Sequence, residues 1–265
     1  MSNPISAPTR ARFGAAIVAL APAVMLAGLF AHPYIATLPD EVAVAAAATA
    51  DTTRWGLAHL TVGVGSGLLM LAFLAIRSYL REAGEERWSI LALPFIVVGG
   101  TLFAVLPGME FAPLAAAEAG GDVQATQAAL APWFLPILVT GAITFAAGVF
   151  AFAKGIADSR VLSRRLSRLV VGALVVMAVA RLVPVGAMQF YVQGVAGIVA
   201  LWPLAYGMWK RPEAARPARD SREQCRLSDG TSDLRRALNI TQMGNVPDLI
   251  QAHNGCSGSA TPPVS

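Results

Sequence analysis

Runs of about 20 apolar residues recur along the chain, separated by short polar connections, and nothing else constrains the fold as much. Wound as a helix, such a run matches the thickness of a bilayer's hydrocarbon core. Backbone N–H and C=O groups find no water there, so a helix that satisfies them internally is the available form. The composition agrees, with 55% hydrophobic and 14% charged residues and a mean hydropathy of +0.58. Soluble domains usually carry about 25% charged residues. The fold expected is all-α: a polytopic membrane protein with a six-transmembrane-helix bundle, at about 13–31, 56–76, 88–107, 133–153, 169–185 and 189–209.

The first run, after Arg10 and Arg12, has the look of a secretory signal. At 19 residues it exceeds the usual apolar region of about 7–15, and Leu29-Phe30-Ala31 lacks the small residue expected three before a cleavage site. A retained helix is therefore expected. Residues 32–54 read as a loop with a short helix at 41–50, and 112–131 as a loop without Lys or Arg. Pro94 and Gly99-Gly100 predict a bend in the third span. Gly141, Thr144 and Gly148 predict a close-packing face on the fourth.

Orientation follows from the basic residues. Two precede the first run, three lie in the connection after the second (Arg77, Arg81, Arg87) and five in that after the fourth. Eight more follow from Lys210 onward, while the opposite side holds only Arg54 and Arg181. This asymmetry predicts both termini in the cytoplasm and residence in a bacterial inner (plasma) membrane. The net charge of +4 is thereby used in orientation, so nucleic acid is not an expected partner; the lipid bilayer is. Residues 1–12 form the cytoplasmic N-terminus and 13–211 the membrane domain. The polar stretch 212–265 reads as a mostly disordered cytoplasmic tail, with a short amphipathic helix at 234–250 as the alternative. Cys225 and Cys256 match no metal or redox spacing, and His253 has no evident role.

The polar groups within the spans gather at one level. His32 follows the first span, His59 lies one turn inside the second and Glu110 closes the third. Arg181 is about 18 Å into the fifth, and Gln193 opens the sixth. A charge within a span is costly, so it faces the bundle and seeks a partner. Glu110 is the natural counter-charge to Arg181, with Gln193 a second partner. Gly63 and Gly67 share the His59 face at helical spacing, which predicts a close helix neighbour there. Each group also has a purely structural reading: a register-setting ion pair, a histidine bonded to a carbonyl, a loop carboxylate. The tryptophans at span ends, Trp55 among them, read as an aromatic belt.

His32-Pro33, the Trp55…His59 spacing and Gly108-Met109-Glu110 give the chain its one resemblance. Over about residues 13–210 it resembles a group of uncharacterised six-helix integral membrane proteins of high-GC bacteria. In that group His-Pro follows helix 1, Trp-x-x-x-His opens helix 2 and Gly-x-Glu closes helix 3. The resemblance implies the topology and directs attention to His32, His59 and Glu110, but it implies no activity.

The function expected is a site between helices, facing outward, that binds or transports a small polar ligand through His32, His59, Glu110, Arg181 and Gln193. A metal ion on His32, His59 and Glu110 is a weaker form of the same reading. The alternative from another class is a structural or partner-binding membrane protein. Ranked lower are a single-haem redox protein with axial His32 and His59, and a metal-dependent membrane hydrolase with Glu110 as general base. No Gly-x-x-x-x-Gly-Lys loop occurs, which argues against ATP-driven chemistry by this chain.

Overall fold

The computed structural model describes residues 7–38 and 40–210. The expectations for the tail 212–265, with its helix at 234–250, His253, Cys225 and Cys256, lie outside the described residues, as do residues 1–6. The described chain is all helical, with no strand among the described residues. Its helices are α1 (Ala7–Ala31), α2 (Glu41–Ala50), α3 (Thr52–Glu82), α4 (Arg87–Met109), α5 (Phe111–Glu118), α6 (Val123–Ser159) and α7 (Arg164–Ala180). A last helix, α8 (Met188–Lys210), opens with a π-helical turn over Met188–Val192.

Five helical stretches are long and apolar enough to cross a membrane: Thr9–Ala31, Thr52–Glu82, Arg87–Glu118, Val123–Ser159 and Met188–Lys210. Their outward faces are as apolar as their inward ones. Leu57, Leu60, Val64 and Leu71 line one exposed face of α3, while Phe73 and Ile76 of the same helix are fully buried. Water would not tolerate so much exposed aliphatic surface on a monomer, whereas lipid is an indifferent solvent for it.

Helix starts are set by short acidic side chains. Asp40 Oδ1 accepts from the Ala43 N–H (3.0 Å), Asp51 Oδ1 from Arg54 (2.9 Å) and Asp122 Oδ1 from Ala125 (2.8 Å). The Glu85 carboxylate takes the Trp88 and Ser89 N–H groups at the start of α4. Gly120, at φ +69°, stops α5 in the left-handed region that glycine enters without strain.

Helices approach where side chains vanish. A Cβ on Gly99 would lie 2.5 Å from the Phe145 backbone N, and one on Gly148 would lie 2.8 Å from the Ile96 side chain. This seam joins α4 to α6, and Gly141 belongs to it, against Leu102. The seam of α1 with α3 uses Gly28, facing Val62, and Gly65, facing the Met25 backbone. Of the face expected for contact, Gly63 meets Pro107 of α4, with 3.7 Å from a Cβ built there, while nothing lies within 4 Å of a Cβ on Gly67. α1 meets α3 about two residues' rotation away from it.

Two boundaries also differ from expectation. The expected loop 112–131 is helical over most of its length, because Asp122 caps α6 ten residues before the apolar run begins. α7 ends at Ala180, short of the expected 185, and Arg181 is its capping residue. The chain then turns back through residues 182–187. There Val185 bridges to Thr37 and the Gly186 N–H bonds the Ala36 carbonyl (2.8 Å), tying this turn to the segment after α1.

Candidate functional site

The C-terminal end of α1, the N-terminal end of α3 and the 182–187 turn share one end of the bundle. A cavity of about 350 Å³ opens there, and His32, His59, Glu110, Arg181 and Gln193 all line it. Aliphatic and aromatic side chains of α3, α4 and α6 make most of the remaining wall, and Leu38, Asp40, Glu41 and Val44 close it from the α2 side.

His32 sits in the first turn beyond α1, where its N–H still bonds the Gly28 carbonyl. Its Nδ1 lies 2.6 Å from the Pro33 carbonyl oxygen, and His59 Nδ1 lies 2.8 Å from that of Trp55. A carbonyl only accepts, so both Nδ1 atoms donate, and each neutral ring keeps Nε2 as an acceptor. The two rings touch edge to face at 4.8 Å; His59 lies 4.4 Å from the Trp55 ring, and His32 lies 4.7 Å from Phe190. Burial lowers the His32 pKa below its ordinary value; the bond to Pro33 opposes that, and the nearby Arg54 charge adds to it. His32 is thus a neutral imidazole at pH 7. Arg54 itself donates from Nε to the Ala31 carbonyl (2.7 Å), capping the end of α1.

Glu110 stands at the break between α4 and α5. Its carbonyl accepts from Trp55 Nε1 at 3.3 Å, which joins it to the histidine cluster. Its Oε1 accepts from Gln127 Nε2 at 3.1 Å. Glu110 is 6% exposed and Gln127 8%, yet Glu110 Oε2 and Gln127 Oε1 have no hydrogen-bond partner.

Arg181 does not pair with Glu110, contrary to expectation. Its Nε donates to Gln193 Oε1 at 2.8 Å, and its guanidinium lies 3.6 Å from the Phe103 ring centroid and 4.8 Å from that of Phe145. The cation is held by an amide dipole and two aromatic faces. Glu110 meets Gln127 instead, because the upstream extension of α6 brings that amide over the end of α4.

Gln127 and the buried Trp55 are the site residues that sequence reasoning missed. Trp55 is packed in the core, not in a lipid-facing belt; Trp133, Trp202 and Trp209 are on the surface. The signal for Gln127 was present in Asp122, a helix-capping residue followed by good helix formers, and Pro132 obscured it.

Among the described residues no three His, Cys, Asp or Glu side chains are arranged to hold a metal ion. The contacting His32 and His59 rings also leave no slot between them for a macrocycle, so the single-haem reading does not fit this geometry. No protein-family description, curated protein or solved structure matches the chain.

Proposed function

We propose that this chain is a six-span inner-membrane protein, both termini cytoplasmic, that binds an amphipathic small molecule in the outward-facing cavity. The observation that carries the reading is convergence: polar side chains from well-separated parts of the chain meet on one cavity whose remaining wall is apolar. A volume of about 350 Å³ falls in the range of about 300–1,000 Å³ usual for ligand sites, as does the mixture of apolar wall and few polar groups. These groups do touch in pairs, His32 with His59 and Arg181 with Gln193, but a purely packing role would not need the cavity they line or the unpartnered acceptors on it. The donor set favours an organic ligand over a metal ion.

The six-span count rests on α7. It has 17 residues, near the short limit of about 17–25 for a span. It starts beside the end of α6 and finishes at the turn tied to Ala36 and Thr37, at the cavity end. The excess of basic residues toward the opposite end of the bundle supports an outward-facing cavity. We assign the chain to the six-helix group on its His-Pro, Trp-x-x-x-His and Gly-x-Glu motifs.

The test uses purified protein in nanodiscs and equilibrium dialysis of radiolabelled n-hexylamine, n-hexanol and n-hexanoate, with empty nanodiscs as the partition blank. Saturable binding of at least one probe, lost in the cavity-filling Ala131→Trp, is expected. Non-saturable partitioning of all three would overturn the reading.

A further inference from the structure

Among the described residues, the buried polar atoms of the cavity wall that have no partner within the protein are both acceptors, and that points to the chemistry of a ligand. Glu110 Oε2 and Gln127 Oε1 are both acceptors, both on side chains more than nine-tenths buried, and adjacent through the bond between Gln127 Nε2 and Glu110 Oε1. Leaving a buried acceptor unpaired costs the desolvation of that atom, and two side by side are a standing deficit. Rotating the Gln127 amide would set its oxygen against a carboxylate oxygen and leave Nε2 unpaired as well, so beside an ionised Glu110 the present orientation is the favoured one. A proton on Glu110 Oε2 would create a donor and still leave Gln127 Oε1 unpaired. His32 and His59, each with Nε2 free to accept, add further acceptors to the same wall.

The charges point the same way. Among the described residues, the wall carries three carboxylates, Asp40, Glu41 and Glu110, against one guanidinium, Arg181. That cation is already engaged by Gln193 and the two phenylalanine faces, and Asp40 is likewise engaged by the Ala43 N–H. A net acidic, acceptor-rich pocket with an apolar floor fits a cation bearing N–H donors and a hydrocarbon body.

We infer that the ligand of this cavity is a protonated amine with an apolar body, its ammonium group donating to Glu110 Oε2 and Gln127 Oε1. The inference rests on the proposed binding role and names the ligand class. A quaternary ammonium carries the charge without the N–H donors and is a poorer fit.

The n-hexyl probes separate the two claims. On the wild-type protein, n-hexylamine is expected to bind about tenfold or more tightly than n-hexanol, and n-hexanoate more weakly than either. Glu110→Gln removes the charge at constant shape and should bring n-hexylamine to the level of n-hexanol without changing n-hexanol. Gln127→Leu is a second variant with a smaller loss in the same direction, should Glu110→Gln fail to fold. Equal binding of amine and alcohol, or tighter binding of n-hexanoate on Arg181, would overturn the amine assignment and leave the cavity reading standing. Absence of saturable binding by all three would overturn both.

Discussion

His32 shows what burial does to a titratable group. His32 is held neutral in the fold, its pKa below the ordinary 6.5, while the unfolded chain takes up a proton near that value. Its contribution to stability is therefore complete above about pH 6.5 and is lost as the pH falls below it. Thermal unfolding of the purified protein between pH 7.5 and 5 should show a falling Tm, and His32→Gln should reduce the fall; parallel curves would contradict the assignment. Trp55→Phe keeps an aromatic ring but removes the Nε1 bond to the Glu110 carbonyl and shrinks a fully buried side chain. That carbonyl also accepts from the Leu114 N–H, so the lost bond costs at the low end of about 0.5–1.5 kcal/mol; the vacated volume adds to it, and the sum is read as a lowered Tm. Four of the five candidate residues stood out in the sequence as polar groups in or beside an apolar span, and Gln193 as a partner for Arg181. Their bonding was not legible, because a sequence shows depth along one helix but not which neighbour faces it. Arg181 bonds Gln193, its expected second partner, but two rings stand where the carboxylate of Glu110 was expected.

Among the elements, spans were easier to see than seams. Hydropathy marks a membrane-length helix whatever it touches, since the lipid-facing and core-facing sides are equally apolar. That same evenness hides which face packs: Gly141 and Gly148 marked the seam with α4 and Gly63 does meet Pro107, but the seam with α1 runs through Gly65 and leaves Gly67 open. The two glycines give opposite expectations. Gly65→Ala puts a methyl 3.0 Å from the Met25 backbone and should cost about 1–3 kcal/mol through forced separation of α1 and α3. Gly67→Ala meets nothing within 4 Å and should be neutral or slightly stabilising through helix propensity. Thermal unfolding of both variants in one detergent checks the contrast; equal effects would mean that the seam is misplaced. Gly186 is stricter still, since a side chain there collides with the Ile35 carbonyl oxygen and would open the turn that fixes the start of α8.

At the scale of the whole molecule, the proposed six-span topology rests on the turn after α7. Were α7 to lie along the membrane surface instead of crossing, residues 181–187 would stay on the side of Arg164 and Arg165, and α8 would leave Lys210 on the opposite face. The pairing of Val185 with Thr37 and of Gly186 with Ala36 argues otherwise, because residues 36 and 37 follow the far end of α1. Single cysteines in a background with Cys225 and Cys256 changed to serine can read this directly. Glu86→Cys, Ala119→Cys, Ser163→Cys and Leu182→Cys all fall at exposed positions between helices or at helix ends. In intact cells a membrane-impermeant maleimide should label the cysteines at 119 and 182 and spare those at 86 and 163 until the membrane is permeabilised. Label at 119 without label at 182 would mean five crossings and would put the C-terminal end of α8 outside. Label at 86 and 163 alone would invert the protein and turn the cavity, with its unpaired acceptors, toward the cytoplasm.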